Sequence, residues 1–237
     1  MEQIRRSKER GHANHGWLDS YHSFSFADYY DPRHMGYGPL RVINEDRVKA
    51  GKGFATHAHQ DMEILSYVLS GALAHRDDSG GGGVLRPGEL QWMSAGHGIE
   101  HSEYNASPTE SVHFLQIWIQ PDRLNAQPAY AQQAFDPAAR RGRWALLASP
   151  DGAEGSLAIR QQASLRGVVL GAGETAEITL EATRKYWLHV AQGSVDVDDG
   201  RALSAGDALG YVGETATLRL QGAGDGLADV LLFDLPA

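Results

Sequence analysis

The sequence predicts an all-β protein made of two β-sandwich or barrel domains related by duplication, and three observations carry that prediction. Short β-rich runs recur along the chain between Gly, Asp and Pro, with glycine at 28 of 237 positions. Nothing helical of any length interrupts those runs. The second half also repeats the glycine spacing of the first. Many short strands separated by turn signals are the pattern of sandwiches and barrels, and the length suits two domains of about 100–150 residues each.

Taken in order, residues 5–10 (RRSKER) read as a basic, solvated terminus. Residues 14–40 mix Trp17, Tyr21, Phe24, Phe26, Tyr29, Tyr30 and Tyr37 with Asp-Pro and Gly-Pro turn signals, which predicts an irregular arm packed on a sheet. Residues 41–43, 64–69, 89–93 and 112–119 read as strands. Residues 125–143 are polar, contain Ala and Pro, and end basic, so they read as a connector with one short helix. The boundary falls there, giving domains at 1–142 and 143–237. After it, strands are expected at 157–160, 168–170, 177–180, 187–190, 195–197, 208–212, 217–220 and 230–233.

The duplication has a register. An offset of 122 lays Gly173 on Gly51, Gly193 on Gly71, and YWLHVAQGSV on ILSYVLSGAL; an offset of 118 lays Gly206-Asp207 on Gly88-Glu89. Two sandwiches related by duplication follow.

Composition narrows the partners. Against 30 Asp+Glu stand 21 Lys+Arg, a formal net charge of -9, which argues against nucleic acid or an anionic membrane surface as the main partner. A small neutral or metal-chelating ligand fits better. No stretch reaches the ~18–20 apolar residues of a membrane span, and the first residues lack the apolar core of a signal peptide, so a cytoplasmic location is expected. With no cysteine and 11 histidines, any metal must be held by imidazole and carboxylate.

Two motifs meet that requirement. In GKGFATHAHQDME, His57 and His59 stand at i and i+2; in GHGIEHSE, His101 and Glu103 do the same. Residues two apart on a strand share a face, so two neighbouring strands can set four ligands around one divalent ion. Three nitrogens and one oxygen with an open position are the donor set of a catalytic site. Glu63 competes for the carboxylate role, being four residues after His59; Glu103 is preferred because it pairs with His101 as His59 pairs with His57. His12, His15, His22, His34, His75, His113 and His189 are expected to be structural or exposed, and His97 to stand near a pocket mouth.

The pattern Gly51-x5-His57-x-His59-x3-Glu63, with Pro87-Gly88 and His101-x3-Asn105, resembles the two motifs of the cupin superfamily. It departs from them in the seven residues between Glu63 and Gly71 and in Gly96-His97-Gly98, where Pro-x-Gly is usual. Those departures, and the strings HAHQDMEILSYVLSGALAHRD, PGELQWMSAGHGIEHSE and RGHANHGWLDSYHSFSFADYYDP, resemble the pirin branch of cupins. The resemblance implies a bicupin with one divalent metal in the N-terminal domain, at the residues matching His57, His59, His101 and Glu103, and it favours iron, although such a site also accepts Cu, Ni, Mn or Zn. It also implies a quercetin 2,3-dioxygenase activity. Glu103 would then be the catalytic base toward the hydroxyl of a phenolic or enolic substrate, with dioxygen as co-substrate. Under the two offsets, His57, His59, His101 and Glu103 fall on Thr179, Glu181, Arg219 and Gln221, so the C-terminal domain is expected to lack metal ligands. Two rival readings are a non-enzymatic metal-dependent sensor, as animal pirins are described, and a cupin enzyme acting on another small molecule.

Overall fold

The computed structural model describes residues 3–213 and 215–237, so Met1, Glu2 and Glu214 lie outside the described residues. The strands are β1 (Gln3–Arg5), β2 (Gly11–Asn14), β3 (Leu18–His22), β4 (Leu40–Val48), β5 (Gly53–His59), β6 (Glu63–Ser70), β7 (Leu73–Asp77), β8 (Gly82–Leu85), β9 (Glu89–Ser94), β10 (Ile99–Asn105), β11 (Val112–Ile119) and β12 (Ala129–Ala134). They continue with β13 (Ala145–Ser149), β14 (Leu157–Ala158), β15 (Ser164–Leu170), β16 (Thr175–Leu180), β17 (Arg184–Gln192), β18 (Ser194–Val197), β19 (Ala202–Ser204), β20 (Ala208–Val212), β21 (Ala216–Ala223) and β22 (Ala228–Pro236).

The chain forms two compact units. One holds Gly11–Phe135 and Ile159–Gln161; the other holds Met1–Arg10, Asp136–Ala158 and Gln162–Ala237. The first has a seven-stranded sheet, β12-β9-β6-β11-β4-β3-β2, and a four-stranded sheet, β5-β10-β7-β8. The second has β1-β20-β17-β22-β15-β13-β14 and β16-β21-β18-β19. The same order recurs position by position, with β9, β6, β11 and β4 answered by β20, β17, β22 and β15, so the duplication is carried by the strand topology.

Alternation explains how the first unit closes. On β11 the even-numbered side chains Val112 and Phe114 point inward and meet Val48, Val68, Leu73 and Leu85, all buried, in one apolar cluster. Removing each such side chain from water contributes about 1.5–3 kcal/mol.

Three features depart from the sequence reading. The arm at 14–40, read as irregular, contains β3, which pairs with β4 as part of the seven-stranded sheet. Within 125–143 the structure has β12, paired with β9 from Ala129↔Ser94 to Ala134↔Glu89, and then a 3-10 turn, Pro137–Arg140, capped by the Asp136 side chain on the amide of Ala138. An edge strand written AYAQQA carries little β signal of its own; pairing with β9 makes it one. The basic terminus likewise becomes β1, paired with β20, where Arg6 meets Asp207 at 2.9 Å. Residues 3–10 therefore count with the second unit, because the pairing is long-range and sequence spacing does not reveal it.

Candidate metal centre

β5 and β10 lie side by side, antiparallel, with His57 opposite His101 and His59 opposite Ile99. The two-residue period puts His57 and His59 on one face, and the pairing brings His101 onto the same face. The ligand nitrogens of the three imidazoles lie within 4.8 Å of one another, and their ring centroids are 4.4–4.8 Å apart. At Gly53 the two strands run so close that a Cβ would stand 2.2 Å from the Glu103 carbonyl oxygen. Between these points Ala55 and Thr56 stand opposite the single residue Ser102, a β-bulge. The extra residue turns Phe54 to the face of His57 and His59, and all three line one cavity.

Two of the rings are oriented from behind. The Nδ1 of His57 is 2.8 Å from the Ala55 carbonyl oxygen, which fixes the proton on Nδ1 and leaves Nε2 free. The Nδ1 of His101 is 3.1 Å from Nε2 of His75, whose ring stacks on Tyr130 with centroids 5.0 Å apart. The free Nε2 atoms of His57 and His101 are then 3.0 Å apart. Two imidazole nitrogens bound at about 2.1 Å and at right angles to one metal would be separated by about this distance, so the donor set fits a divalent ion. Burial, reinforced by neighbouring imidazoles, pushes His59 down to about 4 and His101 down to about 2. Both are therefore neutral, as ligands must be, at physiological pH.

Glu103 lies fully buried on β10 and lines the same cavity. Its Oε2 accepts from Gln116 Nε2 at 2.7 Å and its Oε1 from Ser66 Oγ at 3.2 Å. A carboxylate has about four lone-pair sites, so capacity remains on both oxygens. Burial, opposed by those two donors and assisted by the charge of Asp46, raises its pKa to about 7. Glu63 is placed elsewhere. The turn at Asp61, with φ of 48°, carries the chain into the seven-stranded sheet, where Glu63 faces away from Ser66. Its carboxylate accepts from Trp92 Nε1 at 2.7 Å, Ser94 Oγ at 2.5 Å and the Arg160 amide at 2.9 Å.

The cavity measures about 370 Å³, within the range of small-molecule sites. Three of the histidines expected to be structural or exposed, His12, His15 and His22, line it, whereas His97 does not. Also missed were Ser20, Asn44 and Asp46 on its wall. The parity of β3 and β4 holds only part of the signal: polar residues at 20, 22, 44 and 46 share faces with Leu18 and Val48, which belong to the apolar cluster.

The second unit corrects the duplication register. Leu220 pairs with Ala176 and Leu218 with Ile178, as Glu103 pairs with Phe54 and His101 with His57. The positions matching His57, His59, His101 and Glu103 are thus Ile178, Leu180, Leu218 and Leu220, one residue from the expected Thr179, Glu181, Arg219 and Gln221. All four belong to or pack on that unit's apolar core. The bulge in β5, absent from the β16 and β21 pairing, is the reason for the slip at His57 and His59; the slip at His101 and Glu103 arises in the turn between β9 and β10, one residue longer than its counterpart between β20 and β21.

Comparison with known proteins agrees with this geometry. The pirin family model matches residues 3–119, and a model described as the quercetinase C-terminal cupin domain matches residues 146–235. A quercetin 2,3-dioxygenase of Escherichia coli K12 is 47% identical over 236 residues, covering 100% of this chain and 99% of that protein. A pirin-like protein of Caulobacter vibrioides is 43% identical over 86% of this chain and 88% of its own length. The crystal structure of the bacterial pirin YhhW of E. coli in complex with nickel(II) superposes with a TM-score of 0.92 at 46% identity, covering 100% of this chain and 99% of that one.

Proposed function

This chain belongs to the pirin family, and from that premise we propose that it is a metal-dependent dioxygenase opening the ring of a flavonol or related enol, as a quercetin 2,3-dioxygenase does. The observation that carries the proposal is the meeting of three imidazoles beside a cavity that a buried carboxylate also lines.

His57, His59 and His101 would hold the ion, with Glu103 as fourth ligand. Iron is the ion we propose; the nickel in the E. coli relative fits the same donor set, because imidazole sites discriminate weakly among these metals. A bound ion supplies Lewis acidity toward an enolic oxygen and the redox capacity for reaction with dioxygen. The chain's residues supply the rest. Phe54 and Trp118 give flat apolar walls, with Trp118 edge-on to His59 at 4.9 Å. Glu103 takes the hydroxyl proton on Oε1, where the hydrogen bond from Ser66 is the longer of the two. A carboxyl pKa near 7 suits a base working at neutral pH.

The test is oxygen uptake with flavonols and other enols by protein carrying iron, beside a His101→Ala control, together with elemental analysis of protein purified without added metal. Uptake with a flavonol that disappears in the control is expected. No uptake with any enol would reject the enzyme, and a purified protein holding another metal would reject iron.

A further inference from the structure

Polar side chains occupy two adjacent rows of the interior face of the seven-stranded sheet. Across four strands, His22 pairs with Asn44, Asn44 with Gln116, and Gln116 with Ser66. On one side of this row lie Val42, Trp118 and Ile64; on the other, Ser20 and Asp46 pair and are followed by Phe114 and Val68. Gln116 and Ser66 are accounted for by Glu103. Asn44 and Asp46 are not, yet both are buried and both line the cavity.

One of the two lacks a hydrogen-bond partner. Asn44 Oδ1 has no partner among the described residues. Asp46 accepts a short hydrogen bond from Ser20 Oγ, which also stands 2.9 Å from His22 Nε2. A buried acceptor without a donor is destabilising, and a substrate hydroxyl reaching Asn44 Oδ1 would supply the missing donor. Adjacent strands are about 4.8 Å apart, so Asn44 stands one strand, and His22 two, beyond the Gln116 that holds Glu103. That span suits groups on the next ring of a planar ligand whose first ring reacts at Glu103.

We propose that Asn44 and Asp46 form a hydroxyl-binding subsite that selects polyphenols bearing hydroxyl groups on the ring remote from the reacting one. Each substrate O–H donates, one to Asn44 Oδ1 and one to the Asp46 carboxyl group, while Phe26, Phe54 and Trp118 enclose the ring faces. The assignment of which ring reacts rests on the dioxygenase reading; the preference for hydroxyls does not.

The experiment compares quercetin with galangin, which differ only in the hydroxyls of the pendant ring. Metal-loaded protein is titrated with each under anaerobic conditions, following tryptophan fluorescence, and oxygen uptake is measured separately. Two hydrogen bonds, one of them to an otherwise unpaired buried acceptor, predict quercetin binding about 10-fold or more tighter. Asn44→Leu should remove most of that ratio. Asp46→Asn, which keeps an acceptor for Ser20, should reduce the ratio several-fold and serves alone if Asn44→Leu does not fold. Equal affinities in the wild-type protein, or parallel losses for both flavonols in the variants, would overturn the subsite. Discrimination without oxygen uptake overturns the dioxygenase reading and leaves the subsite standing; uptake without discrimination overturns the subsite alone.

Discussion

His75 offers the sharpest test of the metal centre, because it touches a proposed ligand without being one. It stands on β7 opposite Glu103, with Nε2 3.1 Å from Nδ1 of His101 and its ring parallel to Tyr130 within 7°. For His101 to present a bare Nε2 to an ion, its proton must sit on Nδ1, and His75 Nε2 is the acceptor that holds it there. His75→Phe keeps the flat ring on Tyr130 and removes the acceptor, leaving a buried N–H unpaired at a cost of about 1–3 kcal/mol. Losing a partner of this kind weakens metal binding about 10–100-fold, equivalent to roughly 1.4–2.7 kcal/mol. Titration of Ni(II) or Fe(II) against a competing chelator reads that number without relying on turnover. His75→Gln, whose Oε1 also accepts, should recover most of the affinity. An unchanged metal affinity in His75→Phe, with the fold intact, would refute the tautomer argument and leave His75 as packing.

Four further outcomes follow from the same geometry. Glu103→Gln should lower kcat by about 10²–10⁴-fold; an unchanged kcat would exclude Glu103 as the base. Burial raises Asp46 from 3.8 to about 7, so the native state binds its proton more tightly than the unfolded chain, and metal-free protein should lose stability as pH climbs from about 4 to 7. At about 1.4 kcal/mol per unit that effect is on the order of 4 kcal/mol, and Asp46→Asn should raise Tm at pH 8 while changing it little at pH 4. Chelation should lower the Tm of metal-loaded protein, because an ion at 100 times its Kd adds about 2.7 kcal/mol; an unchanged Tm would mean that no ion is bound in the native state. Phe114→Ala, at a fully buried position, should cost about 3–5 kcal/mol in denaturant unfolding; a loss below about 1 kcal/mol would show that the sandwich interior collapses around the deletion.

What the sequence made legible is what local parity controls. His57 and His59, and His101 and Glu103, are two apart, and a strand's period alone sets each pair on one face. The convergence of the three imidazoles needed only that the two strands be neighbours, which the fold class supplies. Legibility fails wherever a residue's face depends on something not local. Glu63 follows His59 by four and would share its face on an uninterrupted strand, but the positive φ of Asp61 turns the chain into the other sheet. Phe54 is three from His57 and should face away; the bulge at Ala55 and Thr56 returns it to the cavity. A glycine-anchored alignment of the halves also slips by one residue in the turn between β9 and β10, so charged and polar positions, Arg219 and Gln221, were matched to ligands when the inward positions are Leu218 and Leu220. Asn44 and Asp46 failed differently. Their parity with Val48 was present in the sequence, but polar residues on a strand carry no sign of whether the face they share is wet or dry. Only the pairing of β4 with β3 and β11 decides that it is the interior face, and hence that these two polar groups face a cavity rather than solvent.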